Sequence, residues 1–479
     1  MAFSDELFFA PASQLLQMLR SRQISSAEMV SAFIERIESL NHHVKSVVTL
    51  NEERAAAESD DADRRLAGRE DIRPLEGLPI TIKDSIETKG IRSTDGMKIL
   101  EHHIPTEDAP TVARLRAAGA IIIAKTNVPE MAMDYDCENP LFGATNNPWH
   151  TGRVPGGSSG GEAASLASGM CALALGSDYG GSIRIPAHFC GVVGLKPSWG
   201  TIPGTGHLPP SPAAPPPIAH MATIGPMARY VDDLTLEYNL LRGPHPSTPY
   251  TVPSLEAHPE KVKLKKVTCA FFTNVESAVP VAAEIRAAVE RAALALSKIG
   301  VSIEQKAPPI KEAARIWMDY AMADGGELLR DMLAGREHLS RERLRRSFMT
   351  PLPSKSAADF FRTSIERDIF RVQLQQFMEK YPIVIGPPFC VTAFEHGLTD
   401  VNIDGQSFNL FAANWPALWV NCAGLPAAVV PAGQDRDGLP IGVQIVGRAF
   451  DEETVLAVAK ALEQELGGFK KPPLANRAG

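Results

Sequence analysis

Cysteines at the C-x-x-C spacing of redox and zinc sites are missing from this chain. Its six cysteines (Cys137, Cys171, Cys190, Cys269, Cys390 and Cys422) are dispersed, mostly in apolar or glycine-rich surroundings. They are expected to be reduced packing residues. No H-E-x-x-H run and no His/Asp/Glu cluster at ligand spacing is present, so no metal is expected. The doublets His42-His43 and His102-His103 are expected to diverge and not to chelate. Long apolar runs are also lacking: none approaches the roughly 20 residues of a membrane span. At the amino terminus Asp5-Glu6 precede only Leu7-Phe8-Phe9-Ala10, too short for a secretory h-region, so a cytoplasmic location is expected. Positive charge is in deficit, with 48 Lys and Arg against 56 Asp and Glu. The net charge of −8 argues against nucleic acid as the main partner. The one basic run, Lys261 to Lys266, reads as an exposed strand edge.

What is present is ordinary globular material in quantity. The chain has 479 residues, 44% apolar and 22% charged, enough for a large core in a single domain spanning 1–479. Residues 1–70 read as helical, with Ser25-Ser26-Ala27-Glu28 as a capping-type start. Short apolar runs then alternate with helical patterns. Strands are expected at Leu78–Ile82, Ala120–Ala124 and Ala172–Leu175, and helices at Thr111–Ala118 and Glu162–Ser168. Residues 275–380 read as a helical insert or cap near the substrate mouth, with helices over Ala282–Leu296, Ile310–Leu333 and Phe360–Lys380. Strands return at Ile383–Ile385, Ala427–Val430 and Ile441–Val446. The fold class expected is α/β, a large mixed, twisted central β-sheet covered by helices on both faces. The proline-rich stretch 209–217 is expected to be an extended surface loop at the rim of the site.

Two glycine-rich segments each hold serines: Pro155-Gly156-Gly157-Ser158-Ser159-Gly160-Gly161-Glu162 and Gly176-Ser177-Asp178-Tyr179-Gly180-Gly181-Ser182-Ile183-Arg184. Glycines leave backbone N–H groups unobstructed at tight turns. A serine hydroxyl is a poor nucleophile until a base removes its proton. Histidine is the usual base, but only His188 lies near either turn in the sequence. Lys83 ends the apolar run Pro79 to Ile82, where desolvation would favour its neutral form. A neutral Lys83 could deprotonate one serine, which relays the proton from a second that attacks a carbonyl. The N–H groups of Tyr179, Gly180, Gly181 and Ser182 would then converge on the oxyanion. An alternative is a nucleophile elbow, since Gly157-Ser158-Ser159-Gly160-Gly161 fits G-x-S-x-G with Ser159 as nucleophile and His396 as the late histidine. The preceding Thr151-Gly152-Arg153-Val154-Pro155 is not the apolar strand an elbow needs.

The motifs PGGSSGGEAA at 155–164, GSDYGGSIRIPA at 176–187 and FCGVVGLKPSWG at 189–200 carry a specific likeness. The chain resembles the amidase signature family of Ser–Ser–Lys hydrolases, from the Lys83 strand to Gly438–Gly447. The resemblance implies that Ser182 is the acyl-accepting nucleophile, that Ser158 is the relay following a cis Gly157–Ser158 peptide, and that Lys83 is the base. It makes Asp178 and Arg184 braces of the nucleophile loop and Ser159 a hydrogen-bonding neighbour. It implies hydrolysis of a carboxylic amide through an acyl-enzyme without a cofactor, with ester and carbamate (urethane) hydrolysis by the same site. The substrate is then a small-molecule amide, anilide, ester or carbamate, and a homodimer stays open beside a monomer. Residues 135–149 look locally like the fatty acid amide hydrolase branch. The chain is similar as well to the amidase subunit of glutamine-dependent tRNA amidotransferases, the alternative reading. Where that subunit usually has a glutamine after the arginine of the nucleophile segment, this chain has Ile185. That departure favours a free-standing hydrolase with an apolar pocket, for which Met133, Ile185, Trp199 and the 310–335 region are candidate walls.

Overall fold

Ser25 starts a helix as its sequence predicts. Its hydroxyl accepts from the Glu28 N–H at 3.1 Å, and the Glu28 carboxylate accepts from the Ser25 N–H at 2.9 Å, closing a capping box on the Ser26–Val44 helix. The computed structural model describes residues 5–68, 71–207, 219–276, 278–345 and 353–477. The proline-rich 209–217 stretch lies outside the described residues.

The six expected strands join five others, Val47–Leu50, Val193–Lys196, Thr223–Ala228, Thr268–Phe271 and Ser302–Gln305, in one mixed sheet of 11 strands. From edge to edge the order is Val47–Leu50, Ile121–Thr126, Pro79–Lys83, Leu173–Asp178, Thr223–Ala228, Val193–Lys196, Ala427–Gln434, Pro440–Gly447, Ile383–Gly386, Thr268–Phe271 and Ser302–Gln305. Pro79–Lys83 runs parallel to both of its neighbours. All three of these strands are buried at every residue, including the polar and charged residues at their carboxyl ends. Helices cover the sheet: Gly160–Ala167 packs on the Leu173–Asp178 strand, and Glu452–Leu466 packs on Ala427–Gln434.

Four local readings are corrected. The helical 1–70 segment contains a strand, Val47–Leu50, that edges the sheet; its Val-Val-Thr signal is too short to show a period. The Ile310–Leu333 helix is broken into Ala313–Ala321 and Glu327–Leu333, because Gly325 and Gly326 both take positive φ between them. The stretch read as helical over 275–380 also supplies the edge strand Ser302–Gln305, parallel to Thr268–Phe271. The basic run is not a strand edge: Pro259 opens one 3₁₀ turn, Leu264–Lys266 forms another, and the strand begins only at Thr268. In addition, the His42 and His43 rings do not diverge but lie with centroids 3.9 Å apart. Among the described residues no group of three or more His, Cys, Asp or Glu could hold a metal ion. No described helix is long and apolar enough to cross a membrane.

The sheet register positions the chemistry. Ile82 pairs with Leu175 across two parallel strands, so both strands end at the same edge of the sheet. Lys83 therefore arrives beside Gly176 and Ser177, at the carboxyl ends where α/β sheets gather their ligands.

Candidate active site

Lys83 is completely buried. Its Nζ lies 2.6 Å from Ser158 Oγ and 2.9 Å from Ser177 Oγ. Burial lowers its pKa to about 8, against the pull of Asp95 and more distant carboxylates. Asp95 is a weak counter-ion, because burial drives its own carboxyl well above the usual range. About one Lys83 in ten is then neutral at pH 7 and able to accept a proton.

Ser158 is buried and follows a cis peptide from Gly157. A Cβ at Gly157 would collide with the Asp134 carbonyl oxygen, so only glycine fits there. Ser159 turns its hydroxyl onto the backbone of the neighbouring strand, donating to Ser177 O at 3.2 Å. Its N–H donates to Ser182 O at 3.0 Å and so joins the two serine turns. Ser182 itself is half-buried, more open than Ser158. His396 makes no hydrogen bond through either ring nitrogen and none to Ser159.

The Ser182 turn is held by a buried ion pair. Asp178 receives two hydrogen bonds from Arg184, Nε to Oδ2 and Nη2 to Oδ1, both at 3.0 Å. The same carboxylate accepts the Gly181 N–H at 2.9 Å and the Ile183 N–H at 3.1 Å. Burial pushes the Asp178 carboxyl up, but the Arg184 charge and hydrogen bonds prevail and hold it below the ordinary carboxylate range. Arg184 then reaches across the chain to Gln444 Oε1 at 2.6 Å and Asn421 Oδ1 at 2.5 Å. Two further side chains draw carbonyls of the turn outward. Trp317 Nε1 donates to Tyr179 O at 3.1 Å, and Asn414 Nδ2 donates to Gly180 O at 2.8 Å. In a trans peptide the N–H points opposite to its carbonyl, so the first of these aims the Gly180 N–H the other way. Of the four expected oxyanion donors, the Gly181 N–H is engaged by Asp178 in this structure.

The candidate pocket residues are placed differently from one another. Ile185 is fully buried under the Ser182 turn, its Cδ1 within 2.7 Å of where a Gly181 Cβ would stand. Met133 is partly exposed on the loop that flanks Gly157. Trp199 stacks on Tyr250 and donates to Ala219 O. Sequence reasoning missed Ser177 and His207 beside Lys83, and Asn414, Asn421 and Gln444 around the turn. His188, the histidine nearest in sequence, is instead a packed residue: Nδ1 accepts the Gly442 N–H at 2.7 Å, and Nε2 faces Val391 O at 3.1 Å.

A buried lysine joined to a serine between two glycine-rich turns defines a class, and the comparison with known proteins agrees. Residues 28–456 match the sequence model of the Amidase family, and the chain belongs to that family. It is similar over its whole length to a subunit of the glutamyl-tRNA(Gln) amidotransferase of Geobacillus stearothermophilus. The two are 36% identical over 503 residues, covering 98% of this chain and 99% of that protein. The structure of 6-aminohexanoate cyclic dimer hydrolase complexed with substrate superposes with a TM-score of 0.86 at 27% identity, over 98% of this chain and 100% of the other. A bacterial aryl acylamidase of the amidase signature family shares the fold, with a TM-score of 0.87 at 24% identity over 98% and 99% of the two chains.

Proposed function

We propose that this chain hydrolyses a carboxylic amide to a carboxylate and an amine through an acyl-enzyme on Ser182. The observation that carries the reading is the 2.6 Å contact between the buried Lys83 Nζ and Ser158 Oγ, beside a nucleophile turn braced from both sides. Neutral Lys83 takes the Ser158 proton as Ser158 takes that of Ser182. The Ser182 Oγ–carbon bond forms, and the oxyanion is received by the backbone N–H groups of Tyr179, Gly180 and Ser182. Collapse breaks the C–N bond, and the proton held on the relay passes to the leaving amine. A water then gives its proton to the same relay and attacks the acyl carbon. The Ser182 ester bond breaks, and Ser182 recovers its proton. Esters and carbamates fit the same steps, because the attacked carbonyl is unchanged. The helices between Ala313 and Lys380 serve as the cap over the mouth, a role supported by the Trp317 contact to Tyr179. Buried Ile185 favours an apolar acyl or leaving group.

The test is a panel of para-nitroanilides and aryl carbamates of graded acyl length, with acyl capture on Ser182 read by mass spectrometry. Turnover with no Ser182 adduct would overturn the mechanism. The similarity to an amidotransferase subunit over nearly its full length favours a second reading, a transamidase subunit that acts with a partner. Glutaminase activity together with a stable partner in pull-down supports that reading. Hydrolysis of simple amides by the isolated chain counts against it.

A further inference from the structure

Lys83 has a second hydrogen-bonded arm that the relay above does not use. Its Nζ donates to Ser177 Oγ at 2.9 Å, and Ser177 Oγ lies 2.8 Å from His207 Nε2. Ser85 Oγ stands 3.2 Å from the same ring nitrogen. His207 is brought there by an isolated bridge between Ile86 and His207, continued by the Glu87 N–H donating to Gly206 O at 2.8 Å. The segment after Lys83 thus holds the histidine against the end of its own strand.

Proton accounting gives this arm a direction. A neutral lysine has two N–H donors and one lone pair, and a base must point that lone pair at the proton it takes. Here the proton is on Ser158. A serine hydroxyl is both donor and acceptor and rotates freely. With no acceptor beyond it, the Ser177 hydroxyl would donate to Lys83 and fill the lone pair that Ser158 needs. His207 Nε2 offers the other acceptor. When the imidazole carries its proton on Nδ1, the Ser177 O–H donates to Nε2 and Ser177 can only accept from Lys83. The Lys83 lone pair is then left to Ser158.

We infer that His207 is a positioning residue which, through Ser177, orients Lys83 as the base for Ser158. The inference deepens the hydrolytic reading and rests on it. The role is to accept a hydrogen bond, so a side chain with an acceptor at the Nε2 position recovers it, and one that only fills the space does not.

The experiment compares His207→Leu, His207→Gln, Ser177→Ala and the His207→Leu/Ser177→Ala double variant. Two readouts are used: steady-state hydrolysis of a para-nitroanilide, and the rate at which a fluorophosphonate probe modifies Ser182. In the probe reaction the Ser182 Oγ–phosphorus bond forms, the phosphorus–fluorine bond breaks, and fluoride leaves as the Ser182 proton enters the relay. His207→Leu is expected to lower kcat and the labelling rate by about 10- to 100-fold with KM within about twofold, less than the roughly 10²- to 10⁴-fold of a general base because Lys83 itself remains. His207→Gln is expected to recover most of that loss. Ser177→Ala leaves no hydroxyl to fill the lone pair, so in that background His207→Leu has no further effect. Equal rates for wild type and His207→Leu overturn the inference, as do equal losses in the Leu and Gln variants. If His207→Leu does not fold, His207→Asn, whose acceptor falls short of the Nε2 position, takes its place against His207→Gln. Equal rates for those two overturn the inference in the same way. A wild-type chain that labels on Ser182 while His207→Leu labels as fast refutes only the positioning role. A wild-type chain with neither turnover nor labelling refutes the hydrolytic reading and this inference with it.

Discussion

The Ser159 N–H donates to the carbonyl oxygen of Ser182 across 3.0 Å. This backbone bond makes the two glycine-rich turns one unit, with Ser158, the proposed relay, one residue from the donor and Ser182, the proposed nucleophile, carrying the acceptor. A displacement of either turn is felt by the other. The separation between Ser158 and Ser182 is therefore set by main chain and not by side-chain rotamers.

Loss of the attacking or basic group should abolish turnover without unfolding the chain. Ser182→Ala and Lys83→Ala are each expected to lower kcat/KM by about 10³-fold or more. Ser158→Ala should lose less, since a water can stand in the relay position. Amide hydrolysis and a thermal melt on the same samples check this. His396→Ala should retain activity, which separates the lysine mechanism from a Ser–His one.

The pH profile follows from Lys83. Its folded pKa of about 8 lies below its ordinary 10.5, and only the neutral form is a base. The logarithm of kcat/KM should rise with a slope of about one as pH rises toward 8 and level off above it. Between pH 8 and 10.5 the unfolded chain binds more protons at this site, so the Lys83 contribution to stability rises with pH there. A profile flat from pH 6 to 9 contradicts Lys83 as the base.

The Asp178–Arg184 pair should be unforgiving to one-sided change. Both side chains have no exposed surface. Asp178→Asn or Arg184→Met leaves the other charge buried without its partner, a change that costs about 3–5 kcal/mol. Urea unfolding measures it. Asp178→Asn should also lower activity, because Gly181 and Ile183 each use a different carboxylate oxygen and an amide keeps only one of the two acceptors that shape the Ser182 turn.

Acid should weaken the fold through His188. Burial lowers its pKa to about 4 from 6.5, and its Nδ1 is already the acceptor for the Gly442 N–H. The unfolded chain takes up this proton as pH falls below 6.5, the folded one only near 4, so stability declines across that window. The full effect is on the order of 3 kcal/mol. His188→Asn keeps an acceptor without a titrating ring, and its stability should be flatter in pH over the same range.

The chain shows its class in sequence more clearly than its wiring. The mostly apolar runs at Leu78–Ile82 and Ala120–Ala124 were readable as buried strands because parallel strands are covered on both faces. The glycine-serine segments were readable because glycine is the residue that most easily takes such turns. The partners of Arg184 were not readable, since Asn421 and Gln444 are 237 and 260 residues away. His207 was hidden for a related reason. It sits among glycines without any period, and only the pairing with Ile86 shows what it faces. The edge strand Val47–Leu50 was lost between two strong helices because four residues are too few to outweigh them.

The position of the last strands has a consequence for how the molecule is made. Ala427–Gln434 and Pro440–Gly447 are not at the border of the sheet but inside it, with Val193–Lys196, laid down far earlier, on one side and Ile383–Gly386 on the other. A chain emerging from the ribosome carries every proposed catalytic side chain by residue 182, yet the sheet cannot close until the final strands arrive. Until then the Ser182 turn also lacks its anchors at Asn421 and Gln444. Arg184, beside Ser182, is thus anchored by residues that follow it by 237 and 260 positions, and the turn takes its final form only after they have been made.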